Sequence, residues 1–181
     1  MLSNQLAYRS TCSTTAALIT ILAYVTRLLE TNTHVHVITF DYSKAFDTLS
    51  HSSVATTLCH VSIPDFTHNW IIDYLSSRSH QTSLHGVISG PANITAGVIQ
   101  GSVLGPTLFN ITSTLVPDSP LNRYFKYADD GYLVVAGDNV DSVPHELQHH
   151  SAWATRQNLK LNLSKTSKKL FSLVDVRHHP H

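Results

Sequence analysis

The chain has 181 residues, 42% of them hydrophobic, which is enough for one domain with a buried core. Lysine and arginine together number 12, as do aspartate and glutamate, so the net charge is zero. This neutrality argues against nucleic-acid binding, because contacts with phosphates normally need a basic surface. The two cysteines, Cys12 and Cys59, exclude a disulfide framework and a cysteine zinc site. A basic stretch between Trp153 and Lys169 still allows a local basic groove.

The sequence predicts an intracellular protein that is neither secreted nor inserted in a membrane. Its longest apolar run, 16–25, is shorter than the ~20 residues that a membrane-spanning helix needs. The N-terminus lacks the basic and then apolar layout of a signal peptide. The 13 histidines are scattered without a recognised ligand spacing, so we expect them to be solvated or incidental.

The first predicted element is a helix over 14–30. Its apolar residues recur at helical spacing, and we expect Leu18, Leu22, Val25 and Leu29 to form its buried face.

A β-rich run over 35–40 follows and ends at Asp41, so that a buried strand would hold this carboxylate. Residues 50–60 predict a short helix. Pro64 opens another helix as its first residue, and we expect Trp70 to pack in the core there.

The second half of the chain alternates between hairpins and helices. We predict hairpin strands within 81–98, a loop over 97–105, a helix over 106–116, strands over 124–128 and 132–136, a helix over 140–158, and strands within 161–174. Helices set against an antiparallel sheet make this an α+β domain.

Two adjacent carboxylates, Asp129 and Asp130, fall in the turn predicted between the strands 124–128 and 132–136. Like charges repel and are costly to bury, and a divalent cation offsets that cost. Carboxylate oxygens suit Mg²⁺, which proteins often bind together with substrate phosphates. The pair therefore points to phosphoryl transfer, with Asp41 as a third ligand. The competing interpretation is an ordinary acidic turn before Gly131.

Four segments in order resemble the reverse transcriptases of non-LTR (LINE-type) retrotransposons. They are FDYSKAFDTLSH at 40–51, IQGSVLGP at 99–106, YADD at 127–130 and LKLNLSKT at 159–166. The resemblance covers about residues 4 to 172, with a weaker match to the fingers motif at the start. The chain departs from many members at Ile99, where they have proline, at 112–114, where they have an Asn-Asp pair, and at 11–12, where they have Gly-Arg.

The resemblance implies a palm with an antiparallel sheet backed by helices, together with part of the fingers. Residues 1–175 would form this fragment, with 1–33 as partial fingers, 34–51 as palm, 52–98 as fingers, 99–175 as palm, and 176–181 as a disordered tail. We expect the thumb and the endonuclease to be absent.

The activity implied is that of an RNA-directed DNA polymerase, which copies an RNA template from a DNA primer with deoxynucleoside triphosphates (dNTPs). Two Mg²⁺ ions would bind with the dNTP. In this resemblance Asp41 and Asp129 are metal ligands, and Asp130 supports them.

The resemblance also places nine residues near the nucleotide: Tyr42, Ser43, Lys44, Ala45, Phe46, Gln100, Gly101, Lys165 and Arg9. The amides of 42–45 would hold the triphosphate. Phe46 would leave no room for a 2′-hydroxyl, and this favours deoxynucleotides. Lys165 would lie near the leaving pyrophosphate, with Lys160 as a competing candidate.

Three alternatives remain open on the sequence alone. The chain could be a catalytically dead, truncated remnant of a mobile element. It could be an RNA-templated RNA polymerase, against which Phe46 argues. It could also be a binding module whose acidic turn holds a structural cation.

Overall fold

The computed structural model describes residues 5–7, 13–99, 101–113, 119 and 121–172. Its helices are α1 (Thr14–Leu29), α2 (Ala45–Thr48), α3 (His51–Leu58), α4 (Asp65–Leu75), α5 (Leu104–Ser113) and α6 (Val143–Arg156). Its strands are β1 (His34–Phe40), β2 (Tyr42–Ser43), β3 (Ser79–His80), β4 (Ser83–Leu84), β5 (Val87–Ile88), β6 (Ala92–Asn93), β7 (Arg123–Tyr127), β8 (Asp130–Ala136), β9 (Lys160–Leu161) and β10 (Ser167–Ser172). A 3₁₀ helix, Gly137–Ser142, precedes α6. The predicted α+β class is confirmed.

The chain divides into two compact units. The sheet unit comprises the described residues within Met1–Ser43, Val116–Thr155 and Leu159–His181. The helical unit comprises those within Lys44–Leu115 and Arg156–Asn158. The assignment of segments to fingers, palm and tail stays a prediction, and the tail lies outside the described residues.

A four-stranded antiparallel sheet in the order β10-β1-β8-β7 forms the centre of the sheet unit. β1 lies between two partners, and residues on both of its faces are buried. On one face, Val35 and Val37 pack with residues of α1. On the other face, Ile38 and Phe40 pack with the first residue of α6.

The buried face of α1 differs partly from the prediction. Val25 and Leu29 are buried as expected, together with Ala17 and Ile21, whereas Leu18 is exposed. Leu22 is exposed as well. Several faces of this apolar helix have the same periodicity. The face that contains Ala17 packs on the sheet, because a small side chain lets the helix approach the sheet closely.

Helices dominate the helical unit. Ser50 caps α3 through its hydroxyl, which accepts a hydrogen bond from the Ser53 amide, and α4 begins directly after Pro64. Trp70 was predicted in the core, but it is 56% exposed and stacks on Tyr74 at 5.7 Å. The buried face of α4 is formed by smaller residues, so the prediction for Trp70 was wrong.

Hairpin strands were predicted within 81–98, and the structure has two short ladders there, β4 with β5 and β3 with β6, although β3 begins two residues before the predicted range. Several boundaries moved: α5 begins two residues before the predicted position, and α6 begins three residues after it. Within the described ranges, no helix combines the length and apolar character needed to cross a membrane.

Gly97 shows why the segment before α5 needs a glycine. Its φ of +87° lies in the left-handed region, and a Cβ there would lie 2.6 Å from the carbonyl oxygen of Asp47. Its amide donates to the Leu49 carbonyl at 2.7 Å, so the segment cannot move away without losing this bond.

We expect Gly97→Ala to lower the free energy of unfolding by about 2–4 kcal/mol, since it adds a backbone overlap to a strained φ. Urea unfolding of the purified chain measures this. Gly90→Ala is the matched control, because a Cβ at Gly90 meets nothing within 4 Å. Equal stabilities of the two variants would contradict the account.

Candidate functional site

Asp41 lies immediately after β1, at the end of the sheet where β1 stops and β8 starts. We call this end of the sheet the acidic edge. The preceding residue, Phe40, is buried and pairs with Gly131 of β8. The Asp41 carbonyl accepts a 2.8 Å hydrogen bond from the Asn162 amide, which fixes the backbone on the other side. The buried strand therefore holds the Asp41 carboxylate at the rim, where its side chain is 24% exposed.

Asp129 and Asp130 lie on the hairpin that joins β7 to β8. Tyr127 pairs with Asp130, so Ala128 and Asp129 form a two-residue turn. We predicted both aspartates in the turn, but Asp130 is the first residue of β8. Gly131, which follows Asp130, pairs with Phe40, which precedes Asp41. The strand pairing therefore brings Asp130 and Asp41 to the same end of the sheet.

Gly131 has a packing role beside the acidic pair. A Cβ at Gly131 would overlap the hydroxyl of Tyr124, and it would lie 3.5 Å from the Cβ of Phe40. The Asp-Asp-Gly sequence is therefore not explained by turn geometry alone, because the glycine lets Tyr124 lie against the strand that begins with Asp130.

Asp130 lies within electrostatic reach of Asp129 and of Asp41. Burial raises the pKa of Asp130, the charges of Asp129 and Asp41 raise it further, and the cation of Lys165 opposes them. Asp130 therefore lies in the field of two other carboxylates and of one lysine cation, at a cost in repulsion.

A hard divalent cation fits this donor set, since it would relieve the repulsion and carboxylate oxygens are ligands that Mg²⁺ prefers. In the described part of the chain, however, no three acidic, histidine or cysteine side chains are grouped closely enough to hold a metal ion. Uncompensated carboxylates repel each other.

Lys165 reaches this edge through the turn that follows β9. β9 pairs with β2, and the Lys165 amide donates to the Asn162 carbonyl at 3.1 Å. Its Nζ lies 3.9 Å from Oδ2 of Asp41, and its side chain is 70% exposed. Lys160, the competing candidate, pairs with Ser43 in the ladder. An exposed ion pair contributes little stability, so Lys165 is free to exchange Asp41 for another anion.

Gln5 holds the turn that carries Asp129, a role that the sequence analysis did not assign. Its side-chain oxygen accepts from the Ala128 amide at 3.2 Å, and its side-chain nitrogen donates to the Ala128 carbonyl at 3.4 Å. Ala128 has a φ of +54°, which is strained for a residue with a Cβ. The buried Gln5 therefore stabilises a strained backbone next to a candidate ligand.

Tyr42 points away from the acidic edge and into the core. Its hydroxyl lies 2.5 Å from Nε2 of His150, whose ring stacks on Phe40 at 4.0 Å. Trp153, which belongs to α6 like His150, is buried beside them. Burial raises the pKa of Tyr42. Any contact of Tyr42 with a nucleotide would therefore use its backbone.

His150 is a buried base in this aromatic cluster, with no hydrogen-bond partner for Nδ1 among the described residues. Burial lowers its pKa from 6.5 to about 4, and the charge of Lys126 contributes. The folded protein therefore holds His150 neutral against the α6 side of the sheet.

Four other predicted residues belong to the helical unit. Lys44 has a φ of 52° and precedes α2, and Ala45 is buried at the start of that helix. The Phe46 ring stacks on Phe109 with centroids 4.8 Å apart. Gly101 has a φ of +81°, a conformation that favours glycine. The two remaining predicted residues, Gln100 and Arg9, lie outside the described residues.

Comparisons with known proteins agree with the motifs. A family profile described as "Reverse transcriptase (RNA-dependent DNA polymerase)" matches residues 1–176. A probable RNA-directed DNA polymerase from transposon X-element of Drosophila melanogaster is 26% identical over 179 residues, covering 94% of this chain and 20% of that protein. The RNA-directed DNA polymerase from mobile element jockey of the same organism is 26% identical over 144 residues, covering 73% and 16%. The chain thus spans about a fifth of the length of the curated relatives it matches.

Solved structures of telomerase are similar to this chain. Telomerase from Candida tropicalis, in complex with a fragment of telomeric RNA, superposes with a TM-score of 0.71 at 12% identity, covering 92% of this chain and 30% of that one. Telomerase from Candida albicans gives a TM-score of 0.57 at 13% identity, covering 95% and 32%. At such identities the likeness shows a shared fold.

We expect Gln5→Leu to lower the free energy of unfolding by about 1–3 kcal/mol, because the strained Ala128 would lose both of its hydrogen bonds to the Gln5 side chain. Urea unfolding and amide hydrogen exchange at Ala128 measure the loss. Gln148→Leu, at an exposed position of α6, is the control and should change little. Unchanged protection of the Ala128 amide in Gln5→Leu would argue against the clamp.

The stability of the fold should fall as the pH drops from about 6.5 to about 4. The unfolded chain protonates His150 in this range and the folded chain does not, so acid favours unfolding by up to about 3 kcal/mol from this group. Urea unfolding at several pH values measures the slope. His36, whose pKa burial also lowers, contributes in the same direction. Comparison with His150→Phe isolates the contribution of His150. If stability fell equally steeply with pH in the wild type and in this variant, the assignment of the acid sensitivity to His150 would be wrong.

Proposed function

Because the chain belongs to the reverse transcriptase (RNA-dependent DNA polymerase) family, which matches residues 1–176, we propose that it is part of the RNA-directed DNA polymerase of a retrotransposon. The resemblance to non-LTR enzymes is confirmed by relatives from the X-element and jockey. In this reaction a primer 3′-hydroxyl oxygen attacks the α-phosphorus of a deoxynucleoside triphosphate. A new phosphodiester bond forms, the bond to the β-phosphate breaks, and pyrophosphate leaves.

The observation that supports this proposal most is the meeting of Asp41, Asp129 and Asp130 at one sheet edge, with Lys165 beside them. Phosphoryl transfer is catalysed mainly by positioning and by electrostatic stabilisation, so a fixed set of carboxylates is the principal requirement. The pairing of β1 with β8 sets Asp41, the residue after β1, close to Asp130 of β8, and Gln5 holds the turn at Asp129.

Divalent metal use is general in this family, and we propose two Mg²⁺ ions that bind together with the dNTP. Bound magnesium would lower the pKa of the 3′-hydroxyl and neutralise charge on the triphosphate. Asp41 and Asp129 would be the ligands. Asp130 would support them from the first position of β8.

Lys165 would change partners during the reaction. Without a nucleotide it pairs with Asp41 through an exposed, weak ion pair. A triphosphate at this edge would offer a stronger charge, and Lys165 would turn to it and neutralise the pyrophosphate as it leaves. Arg9 would contact the triphosphate from the fingers.

Phe46 would select the sugar of the incoming nucleotide. Its ring is supported by Phe109, so it cannot easily yield to a 2′-hydroxyl, and the clash favours deoxynucleotides. Gln100 and Gly101 would line the nucleotide pocket, with the glycine backbone close to the ligand. The backbone amides of 42–45 would hold the triphosphate.

The proposed partners are an RNA template, a DNA primer and dNTPs, and the proposed location is inside the cell. The neutral net charge leaves the basic stretch 153–169 as the candidate contact with phosphates. The alternative is a catalytically dead remnant. It is favoured by the finding that the described residues hold no three-ligand set ready for metal.

Primer extension on an RNA template tests the proposal, with the chain placed in the longer open reading frame of its element. We expect Mg²⁺-dependent DNA synthesis, reduced by about two orders of magnitude or more in Asp129→Asn because charge stabilisation at the site is lost. Asp138→Asn, which changes an exposed aspartate of the 3₁₀ helix, should retain activity.

Undiminished synthesis by Asp129→Asn would refute the assigned site, and no synthesis by any form would favour the remnant. The same reactions with ribonucleotides test the RNA polymerase alternative, which predicts extension with ribonucleotides as efficient as with deoxynucleotides.

A further inference from the structure

Two histidines stand one helical turn apart on α6. His145 and His149 are four residues apart, so they lie on the same face of the helix, and both side chains are exposed. Their ring centroids are 5.1 Å apart, with an angle of 35° between the ring planes. The sequence analysis did not identify the spacing of this pair.

The separation of the rings is that of a chelating pair. A metal–nitrogen bond of ~2.0–2.1 Å places each imidazole centre roughly 3.2 Å from the ion, so two rings at a tetrahedral angle have centres roughly 5.2 Å apart. The 5.1 Å between His145 and His149 therefore matches the spacing of two imidazoles on one ion. The helix supplies this geometry in advance.

The local charge also suits a cation. Residues 137–149 contain Asp138, Asp141 and Glu146 and no lysine or arginine. Opposite charges nearby favour the bound cation, and a neutral imidazole binds without losing a proton at pH 7.

Glu146 excludes a hydrolase interpretation of the same segment. The string His-Glu-Leu-Gln-His over 145–149 matches the helix of zinc hydrolases, in which the glutamate is the general base. Here Oε1 of Glu146 accepts a hydrogen bond from the Ser119 hydroxyl and a 2.9 Å bond from Nδ2 of Asn122. Glu146 therefore tethers α6 to the segment before β7, and we assign binding without a reaction.

A second histidine pair, His34 and His36 on β1, is less suited to a cation. Its rings are 5.0 Å apart, but the charge of Lys168 lowers the pKa of His36 and would also repel a bound cation. The Cε1 and Nε2 edge of His34 lies against Gly137, which leaves less room for an ion.

We propose that His145 and His149 form a bidentate site for a divalent transition metal such as Zn²⁺. Imidazole favours Zn²⁺, Ni²⁺ and Cu²⁺ over Mg²⁺, so this site is chemically distinct from the carboxylate edge and independent of the proposed polymerase function. The described residues supply no third acidic, histidine or cysteine ligand, so water fills the other positions. The bound ion joins the first two turns of α6, and it therefore stabilises the folded chain.

A zinc titration of the full 181-residue chain tests the site, followed through the histidine Cε1 proton resonances and the thermal unfolding midpoint. The resonances of His145 and His149 should shift first, and the midpoint should rise with Zn²⁺ but not with Mg²⁺. Zn²⁺ bound to isolated histidines binds the unfolded chain equally well, so such binding does not raise the unfolding midpoint.

The decisive comparison keeps the number of histidines constant. His149→Gln combined with Leu147→His puts the second histidine two residues from His145, on another face of the helix, and should weaken Zn²⁺ binding by about tenfold or more. His60→Gln combined with His80→Gln, two exposed positions of the helical unit, should keep the full response.

Unfolding without metal shows whether each variant is folded, so that only folded variants are compared. An equal rise of the midpoint in wild type and in the His149→Gln, Leu147→His variant would overturn the proposal. First shifts at His178, His179 or His181, without a rise, would overturn it as well.

Discussion

The pairing of β1 with β8 is the constraint on which the rest of this structure depends. Its register sets Phe40 opposite Gly131, and so it places Asp41 and Asp130, the residues next to this pair, at one edge of the sheet. A shift of one residue would turn every side chain of a strand to the other face, exposing its core residues. The hydrophobic core therefore enforces the arrangement of the acids, although the acids themselves repel one another.

The acidic edge is held in place against two kinds of unfavourable energy. One is the partial burial of Asp130 together with repulsion from Asp129 and Asp41, which raise the pKa of Asp130. The other is the left-handed backbone of Ala128, which Gln5 stabilises through hydrogen bonds to its amide and to its carbonyl. Such costs persist only where surrounding structure compensates for them, and they concentrate where a ligand is bound. A cation would remove the first cost, which agrees with the proposed role of this edge.

Sequence reasoning succeeded best where the determining interactions are local. The strand before Asp41 was predicted, and the helix at Pro64 was predicted to within one residue. A period of two or 3.6 residues and a proline at a helix start both act within a few residues. It failed for Trp70, which was assigned to the core and is exposed. Periodicity shows that a helix has an apolar stripe, but the partner element decides which stripe is buried.

The amino-acid sequence by itself determined the family, the order of the motifs and the identity of the candidate acids, since these are properties of short segments in chain order. Only the tertiary structure decided that Asp130 begins a strand, that Lys165 rather than Lys160 meets Asp41, and that Gln5 clamps the turn. The physical reason is that these contacts join residues more than one hundred positions apart or depend on strand register. Both are settled by the packing of the whole sheet and not by any local pattern.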